Sequence, residues 1–133
     1  MALLDEIATR LQGQGVGTTG STQSWFVAKG FLPPTPDKCI ALFETGGFPN
    51  DAHESALIDR PTFQVRVRSD AFGYSTGRTK IGAARTALEI GNSTLSGRRY
   101  VHIVAQSEPV SLGVDDNNRP ALVMNFTALR SRT

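Results

Sequence analysis

Apolar residues at Leu3, Leu4, Ile7, Ala8 and Leu11 fall on one face of a helix, and the spacing predicts a short amphipathic helix over residues 3 to 12. Asp5 and Glu6 sit in its first turn, where the helix dipole favours carboxylates, and Gly13 is a natural stop. The next stretch, GQGVGTTGSTQ, has no periodicity and reads as a flexible connection. SWFVAKGF, residues 24 to 31, reads as a strand, and PPTPD then punctuates it.

KCIALFE, residues 38 to 44, is apolar at both alternations, as expected of a central strand buried on both faces. The pattern then breaks at Gly46, Gly47, Phe48 and Pro49, and a polar train follows. Residues 45 to 59 therefore read as a long loop between two strands. TFQVRVRS, residues 62 to 69, restores strict alternation: Phe63, Val65 and Val67 on one face, Gln64, Arg66 and Arg68 on the other.

A second helix is predicted over residues 77 to 90, with Ile81, Ala84, Ala87 and Leu88 as its buried stripe. Ser75 or Thr76 is its expected N-cap and Gly91 its stop. Strands are expected at 99 to 106 and 121 to 130, with PVSLGVDDNNRP between them as loop or short edge strand. The sum is one α+β domain spanning residues 1–133. It has a single mainly antiparallel or mixed β-sheet of five to six strands, with two helices packed on one face.

Composition changes this picture little. The apolar fraction of 39% and the 13 Gly and 7 Pro describe a modest core with generous loops. Net charge is +2, but eleven of the fourteen basic residues are Arg, the cation enriched at protein interfaces. The single Cys39 excludes an internal disulfide and a Cys-based metal motif. Residues 1 to 12 lack the apolar centre of a signal peptide, and no run approaches the ~20 apolar residues of a membrane span. A soluble protein made in a cytoplasm is expected.

Candidate chemistry is sparse. His53 lies near Asp51 and Glu54 but has no second His or Cys at ligand spacing, and His102 sits on a predicted strand as a structural residue. No Gly-x-Ser-x-Gly elbow is present, and the glycines of GQGVG lack the strand–turn–helix setting of a nucleotide site. The row Gln64, Arg66, Arg68 and the pair Arg98, Arg99 could form a basic patch, but an exposed Arg row on a strand is most often a solvated face and only rarely a nucleic-acid track. The ten aromatics mostly sit in strand patterns that suggest burial rather than base stacking. The expectation is no enzyme, no catalytic residue, no cofactor and no metal.

The order IALFETGGFP, polar loop, DRPTFQVRVRS, helix TKIGAARTALEI, then YVHIVAQSEPVSLGVDDNNRPALVMNFTALR resembles a family of phage minor capsid proteins. These are the tail-terminator, or tail-completion and head–tail joining, proteins of long-tailed phages. The similarity covers roughly residues 1 to 130 by segment order and spacing rather than by any catalytic signature. The resemblance implies a small α/β subunit forming a homo-hexameric ring at the head-proximal end of the tail tube. The ring would stop tube polymerisation and offer a docking surface to the head. Its implied partners are its own copies, the tail tube protein and a head connector or completion protein. DNA would pass through without specific binding, and no membrane is involved. The implied place is the virion, at the head–tail junction, after assembly in the host cytoplasm. A head-completion or connector role and a small nucleic-acid-binding module are the alternatives.

A ring needs one surface patch to meet a different patch on the next copy. Arg60, Arg66 and Arg68 are the expected basic half, and Glu44, Asp51 and Glu54 the acidic half. Gly46, Gly47, Phe48 and Pro49 are the expected docking loop, with the glycines letting the chain leave the sheet sharply and the proline stiffening its exit. Most Arg are expected to be held in ion pairs, leaving a neutral or acidic channel.

Overall fold

The computed structural model describes residues 2–20, 24–48 and 57–132. Helix α1 runs over Leu3–Gly13, then β1 over Phe26–Lys29, β2 over Cys39–Phe48 and β3 over Ile58–Arg68. Helix α2 covers Tyr74–Leu88, and β4 (Ile90–Leu95), β5 (Arg98–Ala105), β6 (Val110–Val114) and β7 (Pro120–Ser131) complete the chain. The strands form one seven-stranded sheet in the order β1-β2-β3-β7-β5-β4, with β6 also paired to β7. β1 runs parallel to β2 and every other pairing is antiparallel, so the sheet is mixed and the α+β expectation holds.

β7 is the axis of the sheet. It pairs with β3 from Ile58 opposite Ser131 to Arg68 opposite Ala121. Its other edge is shared, β5 taking Phe126–Arg130 and β6 taking Pro120–Val123. Alternation then sends Phe63, Val65, Val67, Leu122, Met124, Phe126 and Ala128 to the face that both helices cover. Phe63 and Phe126 are register partners, and their rings stack with centroids 5.2 Å apart. Leu3, Ile7 and Leu11 of α1 and Ile81, Ala84 and Leu88 of α2 close the same core.

One polar cluster is buried in that layer. Glu6, 1% exposed on α1, accepts from Arg98 Nε at 2.9 Å, from Arg130 at 2.9 Å and from the Tyr100 hydroxyl. Burial, and then the bond to Glu6, push the Tyr100 hydroxyl well above the usual tyrosine range. Arg98 also donates to the carbonyls of Ser131 (3.2 Å) and Arg132 (2.7 Å), which fastens the start of β5 to the end of β7.

Four elements differ from the sequence expectation. β1 is four residues long rather than eight, because Trp25 (φ +63) and Gly30 (φ +87) turn the chain at its two ends. The presumed loop at 45 to 59 is shorter, since β2 continues to Phe48 and β3 begins at Ile58. α2 starts at Tyr74 with Gly73, not Ser75 or Thr76, at its N-cap, where a Cβ would collide with Asp70 and Ser69. It ends at Leu88, before Gly91, and β4 occupies Ile90–Leu95, where the expected helix ended and no strand was expected. β4 exists because Ser96 and Gly97 both take positive φ (51 and 81), the geometry of a two-residue hairpin that folds the chain back onto β5.

Replacing Glu6 with Ala leaves two arginines and a tyrosine facing a buried gap. We expect a loss of about 3–5 kcal/mol in chemical denaturation, the range for removing one partner of a buried ion pair. A loss below about 1 kcal/mol, the scale of an exposed pair, would show that the cluster does not hold α1 to the sheet.

Candidate assembly surface

The face of the sheet away from the helices is where the sequence placed its basic row. Register puts Phe43, Gln64 and Asn125 in one line across β2, β3 and β7, and Ala41, Arg66, Val123 and Val110 in the next. Gln64 donates to Asn125 at 3.1 Å, Arg66 Nε donates to Gln64 at 2.8 Å, and the Arg66 guanidinium lies 5.2 Å from the Phe43 ring centre. Thr45 donates to Thr62 and Gln106 to Thr127. Along β2, β3 and β7 this face therefore carries hydroxyls and amides whose donors and acceptors serve one another, beside the apolar Ala41, Val123 and Val110.

Arg68 departs from the expected exposed row. It is 4% exposed and donates to the carbonyls of Asp37 (3.0 Å) and Pro36 (2.8 Å), so it anchors the proline-rich crossover between β1 and β2. Arg66 is half-buried, and Arg60 lies at the start of β3. Glu44 is exposed near the far end of β2, paired in register with Phe63 rather than with either arginine. Asp51, Glu54, His53 and Pro49 lie outside the described residues. The structure thus spreads the proposed basic residues along β3 instead of gathering them.

The glycine pair has a definite role. The register of β2 against β3 shifts between Glu44 and Gly47, a bulge that bends the strand end. Gly46 has φ +93 and Gly47 φ +153, and a Cβ on Gly47 would lie 2.5 Å from the Arg60 carbonyl oxygen. Phe48 follows at 57% exposure, and an open groove of about 480 Å³ is lined by Gly46, Gly47, Phe48, Asp59, Arg60, Pro61 and Arg130.

The remaining arginines are largely engaged. Arg85 bonds Glu89 and Glu108, Arg119 bonds Asp115 and Asp37, and Arg132 bonds Asp59 at 3.0 Å. Arg10 donates to the Ala87 carbonyl, joining the two helices. The Arg85 partnership holds the Glu89 carboxyl below its ordinary range, and backbone N–H groups of Arg119 and Asn117 do the same for Asp115. His102 is half-buried opposite Leu129, with a buried Nδ1 lacking a partner. Among the described residues no three His, Cys, Asp or Glu gather as a metal site, and no helix is long and apolar enough to cross a membrane.

The model of the family described as "Bacteriophage tail terminator protein" matches residues 10–132. The chain belongs to that family. It is therefore a structural protein of a phage tail, acting at the tail's end and located in the virion. Among solved structures, a chain of the "Virion of native gene transfer agent (GTA) particle" is similar at TM-score 0.72 and 20% identity, covering 98% of this chain and 95% of that one. A second is similar at TM-score 0.54 and 17% identity, covering 98% and 94%. At these identities the two likenesses establish the shared fold. No curated protein sequence matches the chain.

Sequence reasoning put Glu6 in a helical turn and Arg98 in a basic pair, and missed that they meet Arg130 in one buried cluster across α1, β5 and β7. The Ser96-Gly97 dipeptide was a visible hairpin signal. Two substitutions separate structural from assembly roles on this surface. Arg68→Glu buries an unpaired carboxylate and should cost about 3 kcal/mol or more in denaturation, whereas Arg66→Glu should stay within about 1 kcal/mol. Equal stabilities would return Arg68 to the exposed row.

The glycines give a second comparison. Gly47→Ala combines a clash with an unfavourable φ and should cost about 2–4 kcal/mol. Gly46→Ala meets nothing and should cost about 1 kcal/mol. A Gly47 variant as stable as wild type would remove the bulge as the reason for the glycine.

Proposed function

We propose that copies of this chain close into a ring, expected to be hexameric, on the head-proximal end of the tail tube. There it ends tube polymerisation and presents a joining surface to the head connector or completion protein. The family match over residues 10–132 carries this reading. The surface chemistry supports it. The chain offers a rigid sheet with a polar, internally bonded face, and its proline-rich crossover is locked by Arg68 and Arg119.

Passage of DNA through the ring requires weak contact. Tight non-specific binding depends on neutralising many phosphates together. Five arginines (Arg85, Arg98, Arg119, Arg130 and Arg132) are in ion pairs within the subunit, and Arg68 is buried. The sheet face opposite the helices bears Arg66 with its Nε already donating to Gln64. Such a surface gives duplex phosphates few unspent cations.

Electron microscopy of the protein mixed with tail tubes of its phage should show a ring at one tube end and tubes that no longer elongate. DNA retention by the assembled ring at physiological salt should be negligible. A salt-sensitive affinity tighter than about 10⁻⁶ M, beyond ordinary non-specific binding, would favour the nucleic-acid-binding reading. Rings found only on isolated heads would favour a head-completion role.

A further inference from the structure

We infer that α2 and the tryptophan ahead of β1 form a site for a phosphate group, held by Lys80, Lys38 and the hydroxyls of Ser75, Thr76 and Thr79. The site goes beyond the ring reading and stands whether or not copies of the chain close into a ring.

Trp25 is its floor. The residue takes φ +63, a conformation costly to any residue but glycine, and is pinned there from both sides. Its N–H donates to the Lys38 carbonyl at 2.7 Å, and its own carbonyl accepts from the Thr18 N–H at 3.0 Å. Gly17 lets the chain pass this closely, since a Cβ there would lie 2.7 Å from the Trp25 carbonyl oxygen. The indole is therefore a fixed, half-buried plate. Two ammonium groups rest against it, Lys80 Nζ at 4.9 Å and Lys38 Nζ at 5.9 Å from the ring centre.

These two lysines differ from the third, Lys29, which pairs with Asp5 at 2.6 Å. Among the described residues neither Lys38 nor Lys80 has a carboxylate within ion-pair reach. Asp37, beside Lys38 in the chain, is bonded to Arg119, and Asp70, just ahead of α2, accepts from the Ser69 hydroxyl. Two like charges thus share one ring without a counter-ion. Burial, and then the charge of Lys38, lower the Lys80 pKa from its ordinary value. Lys80 spends one of its three donors on the Val16 carbonyl at 2.9 Å, which fixes the head group and leaves two.

The hydroxyls complete the donor set. Ser75, Thr76, Thr79 and Lys80 share one face of the first turns of α2 and, with Trp25, line a cavity of about 370 Å³. Helical threonines elsewhere spend their hydroxyls on the carbonyl four residues back, Thr9 on Asp5 at 2.8 Å and Thr86 on Gly82 at 3.1 Å. Among the described residues the hydroxyls of Ser75, Thr76 and Thr79 bond nothing in the protein. Three hydroxyl donors and an ammonium group, with no carboxylate in the lining, match an oxyanion with several acceptor oxygens. A phosphate has more of them than a carboxylate does. One phosphate contact per copy is also far short of the many on which tight non-specific DNA binding depends.

Trp25 is the chain's single tryptophan, so its emission reports on the site directly. Sodium phosphate titrated into the full-length protein at constant pH and ionic strength, with chloride as the balance, should change that emission saturably. The expected dissociation constant is roughly 1 mM. Thr79→Val and Lys80→Gln should each weaken binding about tenfold, the scale of one hydrogen bond to a charged group. Lys80 also holds Val16, so the exposed Thr79 change keeps the test decisive if Lys80→Gln fails to fold. A short duplex DNA that displaces phosphate would identify the ligand as a backbone phosphate, and one that leaves it bound would identify free phosphate or a phosphomonoester. No saturable change, an equal response to acetate, or wild-type affinity in either folded variant would overturn the inference. None of these results bears on ring formation, which is read on tail tubes.

Discussion

A carboxylate on the first helix holds the two layers of this protein together. Glu6 is buried between α1 and the sheet, where an isolated charge would be costly, and three donors from β5 and β7 surround it. An apolar stripe alone would let α1 slide or rotate on the sheet, since hydrophobic contact is non-directional. Directional bonds to Arg98, Arg130 and Tyr100 fix its position. They also tie together the end of the sheet at which β3 begins and β7 finishes, beside the groove formed by Gly46, Gly47 and Phe48.

The opposite end of β7 is secured by different means. There Arg68 and Arg119 reach the carbonyls of Pro34, Pro36 and Asp37, so the crossover joining the parallel pair β1 and β2 is held without regular structure of its own. Both ends thus use arginine, at one end around a carboxylate and at the other around backbone oxygens. Internal use of this kind takes up Arg68, Arg98, Arg119 and Arg130 of the chain's eleven arginines. A guanidinium offers five donors in a fixed fork and suits such multi-acceptor anchoring better than an ammonium group does.

With polar and charged groups so engaged, the apolar residues left outside the core gain significance. Scattered exposed apolar residues are ordinary on any protein. On β6 they occupy alternate positions along an edge that no strand covers among the described residues, and Phe48 follows the bulge at the end of β2. A structural protein of a phage tail works by meeting other chains, and its folding leaves apolar surface exposed at these places and at Phe31, Phe72 and Tyr74.

The sequence by itself determined the alternation of β3, the doubly buried start of β2, both helical stripes and hence the α+β class, because each depends on burial repeating at a short period. It also carried the family's segment order. Only the tertiary structure decided that Arg68 is an anchor and not part of an exposed row, since strand alternation assigns a face but cannot say whether a distant loop covers it. Likewise β4 has no strand signal of its own, and its pairing with β5 makes it one. The Glu6 cluster joins residues 92, 94 and 124 positions apart, and a contact at such separation leaves no periodic trace in the chain. Local pattern records which way a side chain points, and the packed fold decides what it meets.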